Sequence, residues 1–170
     1  MPDKSAFAPL SICLLTVSDT RGPAEDRSGD VLQSGLAEAG HRLVGRTLVR
    51  DDIYQIRAQI SIWVADPDVQ VILVTGGTGF TPRDRTPEAV QPLLDREVDG
   101  FGELFRTLSY EEIGTSTIQS RAMAGFANGT FVACLPGSPG ACRTAWTRIL
   151  RDQLDCGHKP CNLAELVITA

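Results

Sequence analysis

Three short runs of the 170-residue chain are almost continuously apolar: 12–17 (ICLLTV), 71–74 (VILV) and 131–135 (FVACL). A strand with one wet face alternates apolar and polar residues. A run without alternation fits a strand covered on both faces, as in a parallel sheet. Between these runs lie segments of helical period. Val31, Leu32, Leu36 and Ala39 share a face, with Gly40 as a natural stop. Ile53, Ile56, Ile60, Trp63 and Val64 share another, with Asp51 or Asp52 placed to cap. The last long helix carries Cys142, Ala145, Trp146, Ile149, Leu150 and Leu154 as its stripe; Ser138 and Pro139 open it and Gly157 closes it. Residues 41–49 (HRLVGRTLV) read as a fourth strand, nearer an edge. Strand–helix alternation of this kind predicts an α/β fold, a three-layer α/β/α domain with a mostly parallel sheet.

The length suits one domain spanning 1–170, with little to hold residues 1–10 and 163–170 in place. A net charge of −5 gives no basic footprint for nucleic acid, so an anionic ligand would have to be met by backbone N–H groups, a few arginines or a metal ion. The start lacks the apolar stretch of a signal peptide and no run approaches a membrane span, so a cytoplasmic location is expected. Five cysteines without a disulfide-scaffold spacing fit a reducing compartment, with Cys13 and Cys134 as small core residues. The grouping Cys156, His158, Cys161 has the residue types of a zinc site but lacks a second dyad, and His158 is expected to face solvent.

In open parallel sheets, ligands bind at the carboxyl ends of the strands. Here those ends are followed by SDTRGPAEDRSG, RDD, TGGTGFTPRD and PGSPG, all small, polar or acidic. Glycine lets a backbone approach a ligand closely and aim N–H groups at an anion, although such a loop can equally be only a turn. The pattern is neither a P-loop nor a dinucleotide fingerprint. Asp51 and Asp84 both fall near this rim. Either could be structural, Asp51 as a cap and Asp84 paired with Arg83 or Arg85; together they would suit Mg²⁺, which takes one or two carboxylates plus substrate phosphates.

Three segments stay open. Asn128-Gly129 turns a hairpin or separates a helix from a strand. Pro92 follows Pro87 too soon for a straight helix, so the segment 86–95 is short or kinked. Val98, Phe101, Leu104 and Phe105, set among charges, form a contact surface or a local core.

The cluster TGGTG, RDRTPEA, DREVDGFGELFR, QSR and LPGSP resembles the MogA/MoaB family of molybdenum-cofactor biosynthesis, over about residues 11–162. GHRLV, RAQIS, EEIGTSTIQSRA and ACRTAW are most similar to its MoaB branch. The resemblance implies a molybdopterin-binding fold and a homo-oligomer, a trimer or hexamer. It implies Mg²⁺-dependent transfer of AMP from ATP to the terminal phosphate of molybdopterin, releasing pyrophosphate; a non-catalytic molybdopterin-binding or carrier protein is the alternative. The residues implied are Asp51 and Asp84 as catalytic and Mg²⁺-holding acids. Substrate binding would involve Thr75, Gly76, Gly77, Thr78 and Gly79, together with Asp26, Ser28 and Gly29. Ser120, Pro136, Gly137 and Ser138 complete the implied set. Gly140 stands where the family often has lysine or another polar residue, so a cation leaning toward the rim is missing there.

Overall fold

Every residue of β1 (Ser11–Val17), β3 (Val71–Thr75) and β6 (Thr130–Leu135) is buried. These contain the continuous apolar runs, and burial on both faces is what their lack of alternation requires. The protein is described here from a computed structural model, over residues 6–168. One sheet runs in the order β2 (Arg42–Val49), β1, β3, β6, β5 (Met123–Ala127), β4 (Arg96–Glu97). The first four strands are parallel, and β5 and β4 continue the sheet antiparallel.

Alternate side chains of the central strands enter two cores. Ile12, Leu14, Leu73, Phe131 and Ala133 belong to one core, with residues of α1 (Arg27–Glu38), α4 (Asp99–Ile113) and α5 (Pro139–Ala145). Cys13, Leu15, Ile72, Val74 and Val132 belong to the other, with α2 (Ile53–Ala65) and α3 (Thr86–Val90). The architecture is three-layer α/β/α. Burial pushes the Cys13 thiol up to about 11 and the Cys134 thiol up to about 12, so both are unreactive core residues.

Local signals decide the boundaries. Gly40, at φ +88°, ends α1, and the N–H of His41 reaches back to the carbonyl of Leu36 at 2.9 Å. Asp52 caps α2, accepting from the N–H groups of Tyr54 and Gln55, which leaves Asp51 without that duty. Asn128 and Gly129, at φ 48° and 80°, turn a two-residue hairpin that sets Ala127 opposite Thr130. Pro92 lies in a 3₁₀ turn (Gln91–Leu93) directly after the short α3. Phe101 and Phe105 are buried and Val98 packs against them, so this stretch is local core, with Leu104 exposed.

One expectation needs correction. α5 continues through a π-helical turn (Trp146–Leu150) into α6 (Arg151–Gln153) and stops before Gly157, whose N–H instead bonds the Asp155 carboxylate at 2.8 Å. The described parts of both ends pack against the core. Leu10 is fully buried, and α7 (Ala164–Ile168) buries Ala164 and Val167 behind a cap supplied by Asn162. Residues 1–5 and 169–170 lie outside the described part. Among the described residues no helix is long and apolar enough to cross a membrane.

The order of the strands creates a crevice. After β1 the chain moves to one side to form β2, then crosses back to form β3 on the other side of β1. The loops leaving β1 and β3 therefore diverge, and a gap opens at the carboxyl ends of this strand pair. Register keeps the rim level, with Thr16 opposite Thr75 and Thr75 opposite Leu135.

Asp26 secures the loop from β1 to α1. It is only 3% exposed, caps α1 through the N–H of Gly29 at 3.0 Å, accepts from the Thr16 hydroxyl at 2.7 Å and pairs with Arg46 of β2 at 2.9 Å. Burial pushes its carboxyl up, but the bonds from Arg46, Thr16 and Gly29 outweigh this and hold it below its ordinary value of 3.8. Its stabilising contribution is thus complete above that value and is lost as pH falls below it. Asp26→Asn is expected to cost about 2–4 kcal/mol at pH 7 and to flatten the acid limb of stability, as urea unfolding between pH 3 and 7 would show.

Candidate active site

A cavity of about 450 Å³ lies against the carboxyl ends of β1, β3 and β6. Its floor is built of main chain packed against main chain. The N–H of Gly76 donates to the carbonyl of Leu135 at 2.9 Å. A Cβ on Gly76 would lie 2.1 Å from the Val17 carbonyl oxygen, and one on Gly137 would lie 3.2 Å from the Gly76 Cα. Gly76 and Gly77 have φ of +103° and +68°. Thr86, the first residue of α3, takes the carbonyl of Gly76 with its hydroxyl at 2.7 Å and that of Gly77 with its N–H at 3.0 Å. The N–H groups of Gly77, Thr78 and Gly79 have no hydrogen-bond partner among the described residues. They remain available to an anion.

Most residues implied by the sequence meet here. Thr75, Gly76, Gly77, Thr78 and Gly79 line the cavity from β3. Pro136, Gly137 and Ser138 line it from β6, and Ser28, Ser120 and Asp84 complete the wall. The hydroxyl of Ser28 donates to the carbonyl of Gly137 at 2.6 Å, tying α1 to the loop after β6. Ser138 also caps α5. Three residues lie outside the lining. Asp26 is buried in its ion pair, and Gly29 is where a Cβ would meet the Asp26 carboxylate at 2.2 Å. Asp51 sits behind Gly77, where a Cβ would meet its Oδ2 at 2.7 Å.

Two neighbouring carboxylates act on Asp51. Its Oδ1 accepts from the N–H of Arg85 at 3.0 Å, and its own N–H donates to Asp19 at 3.0 Å. Burial, with the nearby charges of Asp84 and Asp19, raises its carboxyl above the ordinary 3.8 despite the Arg85 bond. Asp84 accepts twice from Thr81 on Oδ2, at 2.9 and 2.7 Å. One oxygen of each acid, Oδ2 of Asp51 and Oδ1 of Asp84, has no hydrogen-bond partner among the described residues. Adjacent, partly desolvated carboxylates with spare oxygens fit a hard divalent cation such as Mg²⁺, which completes its shell with water and phosphate. Among the described residues no group of three or more His, Cys, Asp or Glu is placed to hold a metal, so any such ion would need those outside ligands.

The sequence pointed elsewhere for cationic help. Gly140 is exposed with open space around it and does not line the cavity. The cation on the lining is Arg21, in the loop after β1, which holds the Gly137 carbonyl at 3.1 Å. Its signal was a lone basic residue in a strand-end loop, masked by the acids around it. Phe105 and Ile113 of α4 add an apolar wall that periodicity alone could not place. His158 is half-buried, and the Cys156 thiol is spent on the carbonyl of Ala6 at 2.9 Å.

Residues 13–155 match a family described as "Probable molybdopterin binding domain". The chain belongs to that family. It is 56% identical over 156 residues to molybdenum cofactor biosynthesis protein B of Escherichia coli (strain K12), covering 92% of each chain. It is 44% identical over 146 residues to the protein of that name from Bacillus cereus, covering 85% of each. The crystal structure of a molybdenum cofactor biosynthesis protein B superposes with a TM-score of 0.87 at 39% identity, over 96% of this chain and 97% of that one. That of the tungsten cofactor synthesizing protein MoaB from Pyrococcus furiosus gives 0.75 at 36%, over 85% and 92%. The segment matching the molybdopterin-binding family runs from β1 to the end of α6 and so contains the whole cavity.

Because the folded state raises the Asp51 carboxyl, it favours the protonated form, and stability from this residue declines as pH rises from 3.8 through the raised value. Asp51→Asn is neutral throughout and can keep the Arg85 bond. It is expected to be at least as stable as the parent at pH 7 without metal. Mg²⁺ should raise the melting temperature of the parent and not of the variant; an equal rise in both would remove Asp51 from the metal's ligands.

Proposed function

We propose that the protein acts in molybdenum cofactor biosynthesis by binding molybdopterin in this cavity and transferring AMP to it from ATP in a Mg²⁺-dependent reaction. The observation that carries the reading is the meeting of unpartnered glycine-loop amides with the Asp84 carboxylate on the lining and the Asp51 carboxylate directly behind the loop. Amides suit phosphate, and paired acids suit the cation that two phosphorylated substrates need between them.

The chemistry asks little of side chains as acids or bases. The nucleophile is an oxygen of a phosphate monoester, already anionic near neutral pH. It attacks the α-phosphorus of ATP, the bond to the bridging oxygen of the β-phosphate breaks, and pyrophosphate leaves. Positioning and charge neutralisation dominate such a step. Gly77, Thr78 and Gly79 would hold phosphate oxygens with their N–H groups, and Arg21 would offset charge from the opposite wall. Asp51 and Asp84 would hold Mg²⁺, which supplies charge stabilisation for the departing pyrophosphate. Phe105 and Ile113 offer an apolar seat for a planar ring and exclude water from it.

Carrier function without catalysis is the second reading. It is favoured by the lining's having, among the described residues, a single cation, which is little to set against a triphosphate. Self-association belongs to the same proposal: Phe80 and Ile118, 64% and 71% exposed, flank one groove beside the glycine loop. A trimer or hexamer is the expected mass by light scattering at micromolar concentration, and a monomer would end that part of the proposal.

Pyrophosphate release from ATP, measured with and without molybdopterin, tests the central claim. Wild type should release pyrophosphate only with both substrates and Mg²⁺. Asp84→Asn should leave molybdopterin affinity nearly unchanged and lower turnover by about 10²–10³-fold, as for one lost transition-state stabiliser. Tight molybdopterin binding with no pyrophosphate from wild type would make the protein a carrier.

A further inference from the structure

We propose that Arg121 is a positioning residue of this cavity, one that aims the glycine-loop amides by holding the loop from behind. Its kinetic consequence rests on the adenylyl-transfer reading; its positional consequence rests on geometry alone. Arg121 does not line the cavity. Its N–H donates to the carbonyl of Thr78 at 2.9 Å and its Nε to that of Gly79 at 2.9 Å. One terminal nitrogen donates to the carbonyl of Asp84 at 3.0 Å, and the other pairs with Glu88 of α3. The guanidinium also stacks over Phe80, 5.2 Å from the ring centroid.

A trans peptide unit is planar, with its C=O and N–H pointing in opposite directions. Fixing a carbonyl therefore aims the N–H of the next residue. Thr86 fixes the carbonyls of Gly76 and Gly77, which aims the amides of Gly77 and Thr78. Arg121 fixes those of Thr78 and Gly79, which aims the amides of Gly79 and Phe80. Four consecutive peptide units are thus held by their carbonyls, and all four of their N–H groups lack a partner among the described residues. A loop with three glycines in four residues has no other stiffness of its own. Preorganised donors stabilise an anion far better than donors that must be gathered for each encounter. The bond to the Asp84 carbonyl extends the same grip to the acid. Lysine cannot replace this arrangement, because a single ammonium on a flexible stem lacks the fork that reaches several acceptors at fixed angles.

The test is Arg121→Lys, with ¹⁵N order parameters of the loop amides as a readout independent of activity. Phe80, aimed by the Gly79 carbonyl that Nε holds, should fall from about 0.85, typical of rigid backbone, to below about 0.6, while Gly77 and Thr78, held by Thr86, and Gly79, held by the main-chain N–H of residue 121, stay rigid. Affinity for inorganic pyrophosphate by calorimetry should weaken about tenfold, and kcat for pyrophosphate release should fall by about 10²-fold, with KM for ATP changing far less. Unchanged order and affinity in the lysine variant would overturn the proposal, since charge alone would then suffice. Should that variant not fold, Glu88→Gln, which loosens the guanidinium but spares the main-chain bond, carries the same comparison: a looser Phe80 amide supports the proposal, and wild-type order with wild-type pyrophosphate affinity overturns it. If wild type releases no pyrophosphate, the adenylyl-transfer reading fails by itself, and the order parameters and pyrophosphate affinity still decide the role of Arg121.

Discussion

The rim of this protein is governed by how closely three strand ends approach one another. Val17, Gly76 and Gly137 meet main chain to main chain, with no room for a Cβ on Gly76 and little on Gly137. That contact is possible because β1, β3 and β6 end in register, and because the chain leaves β1 toward β2 and leaves β3 toward the other side of the sheet. Everything that faces the cavity follows from it. Where side chains cannot enter, peptide groups form the surface, and the surface becomes a set of dipoles.

A dipolar floor changes what charged residues must do. Among the described residues the lining carries one cation, Arg21, and one acid, Asp84. A second acid, Asp51, lies just behind the loop, and a third, Asp19, links the loops after β1, β2 and β3 through the N–H of Asp51 and the side chain of Arg83. These acids raise the cost of ionising Asp51. Negative charge is thus concentrated behind the loop, in a chain whose net charge is −5.

Much of the architecture could be read from sequence because burial on both faces leaves a plain trace. The runs at β1, β3 and β6 had no alternation, and the helices between them had clear stripes and stops. The hairpin at Asn128-Gly129 stayed ambiguous because β5 is short and rich in alanine and glycine, with no pattern of its own. The π-helical turn at Trp146–Leu150 left no trace, since its stripe is that of an ordinary helix. At the cavity, residue types were legible and causes were not. Gly76 and Gly77 are demanded by their own φ and by close neighbours, so their presence shows a well-made turn whether or not a ligand binds. Asp26 and Asp51 were placed with the site by motif, yet one is a buried cap and the other stands behind the loop. Arg21 and Arg121 went unread because a lone arginine has no period, and only the fold reveals which carbonyls it reaches.

The two ends of the sheet have a further consequence. β4 is two residues long and both are exposed and charged, while β2 at the opposite edge carries Arg42 and Arg46 and has no fully buried residue. Neither margin offers a long apolar template on which another chain could add a strand. Addition of a strand from another chain is therefore disfavoured at both margins, and contact surfaces are left to helices, loops and grooves.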